Sequence, residues 1–254
     1  MNANGFARYD GVEAHIYRFE TIHAAGFPHF VTGRGGGVSP APYHSLNTDY
    51  NGGDSHENVR RNIGKVLASA GLEKLWTPKQ VHGDIVAVIN GGPAPEVVEA
   101  DAVITATPGM AVGVRTADCL PLLLVDTTRK VVAAVHAGRR STELHIARKT
   151  VNIMRDKFGC APPDIVAAIG PCIRACCYEV DLESAGRFHS CCGGSGGRML
   201  DIAGANLAQL KQAGVENGNI TDCGICTACE NHRFYSYRKD GKVTGRFLSA
   251  VALS

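Results

Sequence analysis

A mixed α/β fold is what this sequence predicts: one domain over residues 1–254, with a mixed sheet containing antiparallel hairpins and flanked by helices. Three observations carry that reading. Short apolar runs rich in β-branched residues recur along the chain and read as buried strands. Several of them are separated by turns too short to hold a crossover helix, which requires antiparallel pairing rather than a purely parallel core. Between them, polar stretches carry apolar residues at helical intervals.

Asp54-Ser55-His56-Glu57 has capping-box spacing, and Val59, Ile63 and Val66 follow at helical intervals, so a helix is predicted from Ser55 to Ala70. Strands follow at Ile85–Ile89, Ala102–Ile104, Met110–Val114, Leu120–Val125, Val131–Val135 and Ile165–Ile169. Ser141 is placed to cap a second helix. Gly and Pro cluster at Gly33–Pro42, Gly91–Pro95 and Gly193–Gly197, which read as loops within one domain because no repeat or low-complexity linker interrupts the chain.

With 44% hydrophobic and 20% charged residues, the composition is that of a globular protein with a core. Lys+Arg number 26 against Asp+Glu 24, so there is no basic surplus to track a phosphate backbone, and no nucleic-acid partner is expected. Met1–Glu20 lacks the apolar run of a signal peptide, and no later stretch has the length of a membrane span, so no membrane association and a cytoplasmic location are expected. The ten cysteines are then read as thiols or metal ligands rather than a disulfide framework.

Leu120–Val135 is two strand-like runs joined by a polar turn around Thr127 and Thr128, a predicted hairpin. Facing residues in an antiparallel hairpin have numbers of constant sum, and a turn centred between those threonines sets Cys119 opposite His136. Directly opposed side chains on one face can share a metal ion. His82, beside Gly83 and just ahead of another strand, is a third candidate ligand. The competing reading is a structural cysteine and two unrelated histidines. Two imidazoles and one thiolate suit zinc and leave a fourth position open, the pattern of a catalytic site. Copper(II) binds the same donor set.

The motifs Gly37-Val38-Ser39 with Pro42-Tyr43-His44-Ser45-Leu46-Asn47, Gln80-Val81-His82-Gly83, Ala100-Asp101-Ala102 and Thr116-Ala117-Asp118-Cys119-Leu120-Pro121 come in that order. After them stand Val135-His136-Ala137-Gly138, Ile169-Gly170-Pro171-Cys172-Ile173 with Cys177-Tyr178-Glu179-Val180, and Cys226-Thr227 with Phe234-Tyr235-Ser236-Tyr237-Arg238. In order and combination they resemble the laccase-domain, or multicopper polyphenol oxidoreductase-like, proteins, a family of zinc-dependent purine nucleoside phosphorylases. The resemblance implies that His82, Cys119 and His136 are zinc ligands. It also implies phosphorolysis of adenosine, inosine, guanosine and methylthioadenosine, with associated adenosine deamination. The chain departs from the family at Arg139-Arg140, where Trp-Arg is usual; Arg140 keeps the expected charge, and the extra Arg139 either strengthens anion binding or points to solvent.

For such chemistry, Arg61, Arg140 and Arg238 are candidates to bind phosphate, because a guanidinium matches its oxygens in a bidentate fork. Ser45 and Asn47 are candidates to contact the ribose or the metal site, with turn formation as the competing role. Asp101 and Asp118 are either proton shuttles or orienters of a ligand. Two other functions compete. A copper oxidase acting on phenols would need many more grouped histidines. A non-catalytic cysteine-rich metal-binding protein would use Cys223, Cys226 and Cys229, a C-x2-C-x2-C run, with Cys172, Cys176 and Cys177 as partners in a structural zinc or iron–sulfur site.

Overall fold

The computed structural model describes residues 5–9, 12–91, 97–194 and 196–253. Most of the Gly91–Pro95 loop, Ser195 of the Gly193–Gly197 loop and residues 1–4 and 10–11 of the Met1–Glu20 stretch lie outside the described residues. In chain order the described strands are β1 (Phe6–Arg8), β2 (Ile16–Phe19), β3 (His29–Thr32), β4 (Lys74–Trp76), β5 (Val86–Ile89), β6 (Ala102–Thr105), β7 (Met110–Thr116), β8 (Leu120–Asp126), β9 (Val131–Ala137), β10 (Ile165–Ile169), β11 (Ile220–Asp222) and β12 (Phe247–Ala252). The described helices are α1 (Glu20–Ala24), α2 (His56–Ala70), α3 (Arg139–Glu143), α4 (Ile146–Phe158), α5 (Leu182–Cys192), α6 (Ile202–Gln212) and α7 (Tyr237–Asp240). No described helix is long and apolar enough to cross a membrane.

The mixed α/β class is as the sequence predicts, but the strands divide between two six-stranded sheets, ordered β1-β2-β3-β12-β7-β4 and β11-β10-β8-β9-β6-β5. Each sheet mixes directions: β8–β9, β8–β10 and β6–β9 pair antiparallel, whereas β5–β6, β10–β11 and β4–β7 pair parallel. The alternation of side chains decides the layers. In β8, Leu123 and Val125 join Val112, Val114 and Val251 of the first sheet in a core between the sheets. Leu120, Leu122 and Leu124 face the other way, onto Ile146, Val151 and Met154 of α4 and Ile202 and Leu210 of α6. Burial on both faces is why this strand reads as an unbroken apolar run. The outer face of the first sheet is covered by α2, whose Val66 packs with Ile16, Phe30, Leu248 and Ala250. The layers are therefore helix, sheet, sheet, helix.

Three local expectations are corrected. The predicted hairpin forms, but with Pro121 opposite His136 and Leu120 opposite Ala137, so Cys119 does not directly face His136. The turn spans Thr127–Lys130. Favoured two-residue hairpin turns need positive φ, which β-branched threonines resist. Here the Asp126 carboxylate accepts the amides of Thr128 and Arg129, each at 2.8 Å, and Lys130 takes φ 54°. The shift preserves the face on which every side chain sits, so Cys119 and His136 remain diagonal neighbours on the inter-sheet side. The capping box does not form: Ser55 is the N-cap without a side-chain bond, and Glu57 binds Arg60 instead. Asp54 is diverted to Ser39 Oγ at 2.6 Å and Asn47 Nδ2 at 3.0 Å. Ser141 lies inside α3, whose N-cap is Gly138.

Candidate active site and metal centre

One strand start, one strand end and one loop bring the three predicted ligands together. His136 lies near the end of β9, and Cys119 precedes β8. Before Cys119 stands Asp118 at φ 91°, a left-handed conformation that costs a non-glycine residue about 1–3 kcal/mol and must be held by its surroundings. Those surroundings are specific: Asp118 Oδ1 accepts from Thr227 Oγ1 at 2.6 Å and Ser236 Oγ at 2.7 Å, and Oδ2 accepts from the Arg238 amide at 2.6 Å. His82 is also left-handed, at φ 57°. Asp101, just ahead of β6, holds its loop by accepting the amides of Val81, His82 and Gly83 at 3.3, 2.9 and 2.6 Å.

The same Asp101 carboxylate lies 2.7 Å from His136 Nδ1. That bond fixes the ring and leaves Nε2 for the metal side, as an aspartate behind a metal-binding imidazole does. Both carboxylates are thus occupied in orienting their neighbours. His82 Nε2 lies 3.8 Å from Cys119 Sγ, and the His82 and His136 rings meet edge-on with centroids 4.7 Å apart. Ligand atoms of all three residues fall within 4.8 Å of one another, a group that could hold a metal ion. Zinc–ligand bonds of about 2.0–2.3 Å imply donors roughly 3.5 Å apart in a tetrahedral shell, so the set needs little movement to close on an ion. Gly138 makes room for it: a Cβ there would stand 3.0 Å from His82 Cδ2 and 3.2 Å from Cys119 Sγ.

Electrostatics prepare the thiol. Burial pushes Cys119 up, but the His136 charge and hydrogen bonds from both imidazoles outweigh it and bring the thiol down to about 6. Burial lowers His136, while the Cys119 charge and the Asp101 hydrogen bond lift it to about 9. The centre therefore favours a thiolate at neutral pH, the form that binds metals.

This group opens on a cleft of about 780 Å³, which His82, Cys119, His136 and Arg238 all help to line. Arg238 is the predicted phosphate contact that reaches it, although its guanidinium also donates to the carbonyls of Cys177 and Glu179 at 3.0 and 2.8 Å. Arg61 and Arg140 are exposed and do not line the cleft. Arg139 is paired with Glu143 at 2.6 Å. Ser45 Oγ accepts the Gly37 amide at 3.0 Å, and Asn47 is buried, accepting the Arg246 amide at 2.9 Å, so both hold loops together.

Sequence reasoning missed Arg115 and Arg246 and quoted Tyr178 and Tyr237 only within motifs, with no site role; all four line the cleft. Arg115 is the penultimate residue of β7, immediately before the Thr116–Pro121 motif, and is anchored to the Thr48 carbonyl at 2.6 Å and Thr77 Oγ1 at 2.7 Å. Arg246 immediately precedes β12, which pairs with β7, so the two arginines are diagonal neighbours across two strands. An arginine next to a motif was the available signal, but only strand pairing joins residues 115 and 246. Among the described residues, two groups of three or more potential metal ligands form, His82 with Cys119 and His136, and Cys176 with Cys177, Cys226 and Cys229.

The family model described as multi-copper polyphenol oxidoreductase laccase matches residues 28–254. A Deinococcus radiodurans protein named purine nucleoside phosphorylase is 39% identical over 234 residues, covering 89% of each chain. A Streptomyces griseus protein named purine nucleoside phosphorylase ORF3 is 36% identical over 250 residues, covering 94% of this chain and 99% of the relative. The crystal structure of hypothetical protein YfiH from Bacillus licheniformis matches with a TM-score of 0.90 at 28% identity, over 99% of this chain and 100% of that one. With the model matched from Pro28 to the last residue and the architecture shared end to end, the chain belongs to the multi-copper polyphenol oxidoreductase laccase family.

Proposed function

We propose that the protein is a zinc-dependent purine nucleoside phosphorylase with an associated adenosine deaminase activity. The observation that carries this reading is the convergence of His82, Cys119 and His136 within one cleft that also presents arginines. The names of the Deinococcus and Streptomyces relatives support the reaction class.

The donor set fits zinc: two imidazoles, a thiol disposed to ionise, and a fourth position facing the cleft. Zinc, when bound, supplies a localised positive charge and Lewis acidity at the cleft floor. The chain's own residues do the rest. Arg115, Arg238 and Arg246 offer guanidinium groups to the attacking phosphate, and the protein already hydrogen-bonds each of them, which limits the ordering cost on binding. Phosphorolysis forms a bond from a phosphate oxygen to the ribose C1′ as the bond from C1′ to the purine nitrogen breaks. Burial above all, and then the Cys119 charge, push Tyr178 up to about 12, so its hydroxyl remains a donor at neutral pH for the departing base. Ile173, Ile202 and Tyr237 supply apolar and aromatic surface for the purine.

Incubation with adenosine and inosine, with and without phosphate, tests the reading. The expected result is phosphate-dependent release of adenine and hypoxanthine with ribose 1-phosphate, together with slower phosphate-independent conversion of adenosine to inosine. No base release from either nucleoside by the zinc-loaded, folded protein would sink it.

A further inference from the structure

Four cysteines outside the cleft form a second cluster. Cys176 and Cys177 lie in the loop after β10, and Cys226 and Cys229 lie in the loop between β11 and α7. Their four sulfurs lie within 4.8 Å of one another, with Cys177 to Cys229 at 3.5 Å and Cys176 to Cys229 at 3.7 Å. Zinc–sulfur bonds of about 2.3 Å in a tetrahedron set sulfurs about 3.8 Å apart, close to the spacing observed.

We infer that Cys176, Cys177, Cys226 and Cys229 form a second metal site, a closed four-thiolate shell for one zinc ion that ties the cleft-lining loop after β10 to the loop leading into α7.

The donors come as an adjacent pair and a C-x2-C pair from two separate loops, so an ion would cross-link segments that are distant in sequence. All four sulfurs converge on one point, which suits a single ion; a multi-iron cluster would have to spread its cysteines over several metal atoms. The backbone around the cluster is already paired: the Thr227 amide donates to the Cys172 carbonyl at 3.1 Å, and the Cys172 amide to the Ile225 carbonyl at 3.3 Å. Cys172 and Cys223, the remaining cysteines of these two loops, are buried in the core and stay outside the cluster.

Four protein ligands leave no open position, so the site is structural rather than catalytic. Its value is positional. Cys177 precedes Tyr178, the Cys177 carbonyl accepts from Arg238, and the Arg238 guanidinium carbon lies 5.6 Å above the Tyr178 ring. Thr227, next to Cys226, donates to the Asp118 carboxylate that sets Cys119. An ion at the four cysteines would therefore brace Tyr178 and the segment that carries Arg238 without touching substrate. The site does not depend on the nucleoside reading, and its test uses metal content alone.

The protein is isolated under reducing conditions with zinc supplied, and metal per chain is measured on the native and variant proteins. Two zinc ions per native chain are expected. The Cys176→Ser/Cys229→Ser double variant and the His82→Ala/Cys119→Ala double variant should each retain one. Cobalt(II) reconstitution of the second variant should give the intense thiolate-to-cobalt absorption of a four-sulfur site, a readout that stands if the serine variant fails to fold. The inference is overturned by a native zinc content that the Cys176→Ser/Cys229→Ser variant does not lower, by iron at the site, by a second variant whose cobalt spectrum lacks that absorption, or by disulfides among these four cysteines in metal-free native protein.

Discussion

Gly138 shows how a residue without a side chain can shape the candidate centre. Its φ of −69° is open to any residue, so the constraint comes from its neighbours, His82 Cδ2 at 3.0 Å and Cys119 Sγ at 3.2 Å from a would-be Cβ. Gly138→Ala should therefore leave the fold intact while displacing two ligands, and we expect metal affinity to fall by about tenfold, the scale seen when groups supporting a metal ligand are altered. Competition with a chromogenic chelator would measure it; unchanged affinity would mean that the ligands do not close around the glycine. Cys119→Ala removes the only thiol of the three-ligand group. Zinc binding at that group and phosphate-dependent base release should be lost together, with turnover below about one hundredth of the native rate, while circular dichroism stays native. Full activity in that variant would refute the ligand assignment.

At the scale of elements, the β8–β9 hairpin presents His136 and depends on its turn. Asp126 is fully buried, and Oδ1 alone binds both turn amides. Asp126→Ala strands those two donors and should cost about 1–3 kcal/mol of stability, read from the urea midpoint. Because Leu122 and Leu124 still pack against α4 and α6, register should survive, and the folded variant should keep its metal content. A stable variant with less metal would instead show that the turn controls the site. This hairpin was legible in the sequence because its strands are apolar and its turn is polar, and its register was misplaced because the Asp126 side chain lengthens the turn.

Over the whole molecule, buried His29 couples stability to pH. Burial is the main cause of its fall to about 4; its Nε2 accepts the Phe19 amide at 2.8 Å, and Nδ1 bonds the Phe27 carbonyl at 2.9 Å. The neutral ring is the one the fold accommodates, so the unfolded chain binds the extra proton first, near pH 6.5. Its contribution is fully present above pH 6.5 and falls as pH drops toward 4, by about 3 kcal/mol in all. Urea unfolding at several pH values should show a steeper acid-side loss for the native protein than for His29→Gln, which does not titrate there. Parallel profiles would show that another group carries the acid sensitivity.

The sequence by itself determined the class, the strands from β5 to β10 and the three residues of the candidate metal group, because buried strands and motif order are local patterns. The fold edges were less legible: β1, β4 and β11 are three-residue strands with little pattern to read. Only tertiary structure decided that the strands divide into two sheets, since each strand buried on both faces looks alike in sequence whichever sheet it joins. It also decided which cations reach the cleft. Arg115 and Arg246 become neighbours through the pairing of β7 with β12, whereas Arg61 and Arg140, equally plausible by charge, end up exposed away from it. The same holds for the ten cysteines, where spacing proposed one run of three and folding selected two of them with two from another loop. Charge and ligand chemistry are written residue by residue, but convergence on a point is a property of the packed chain.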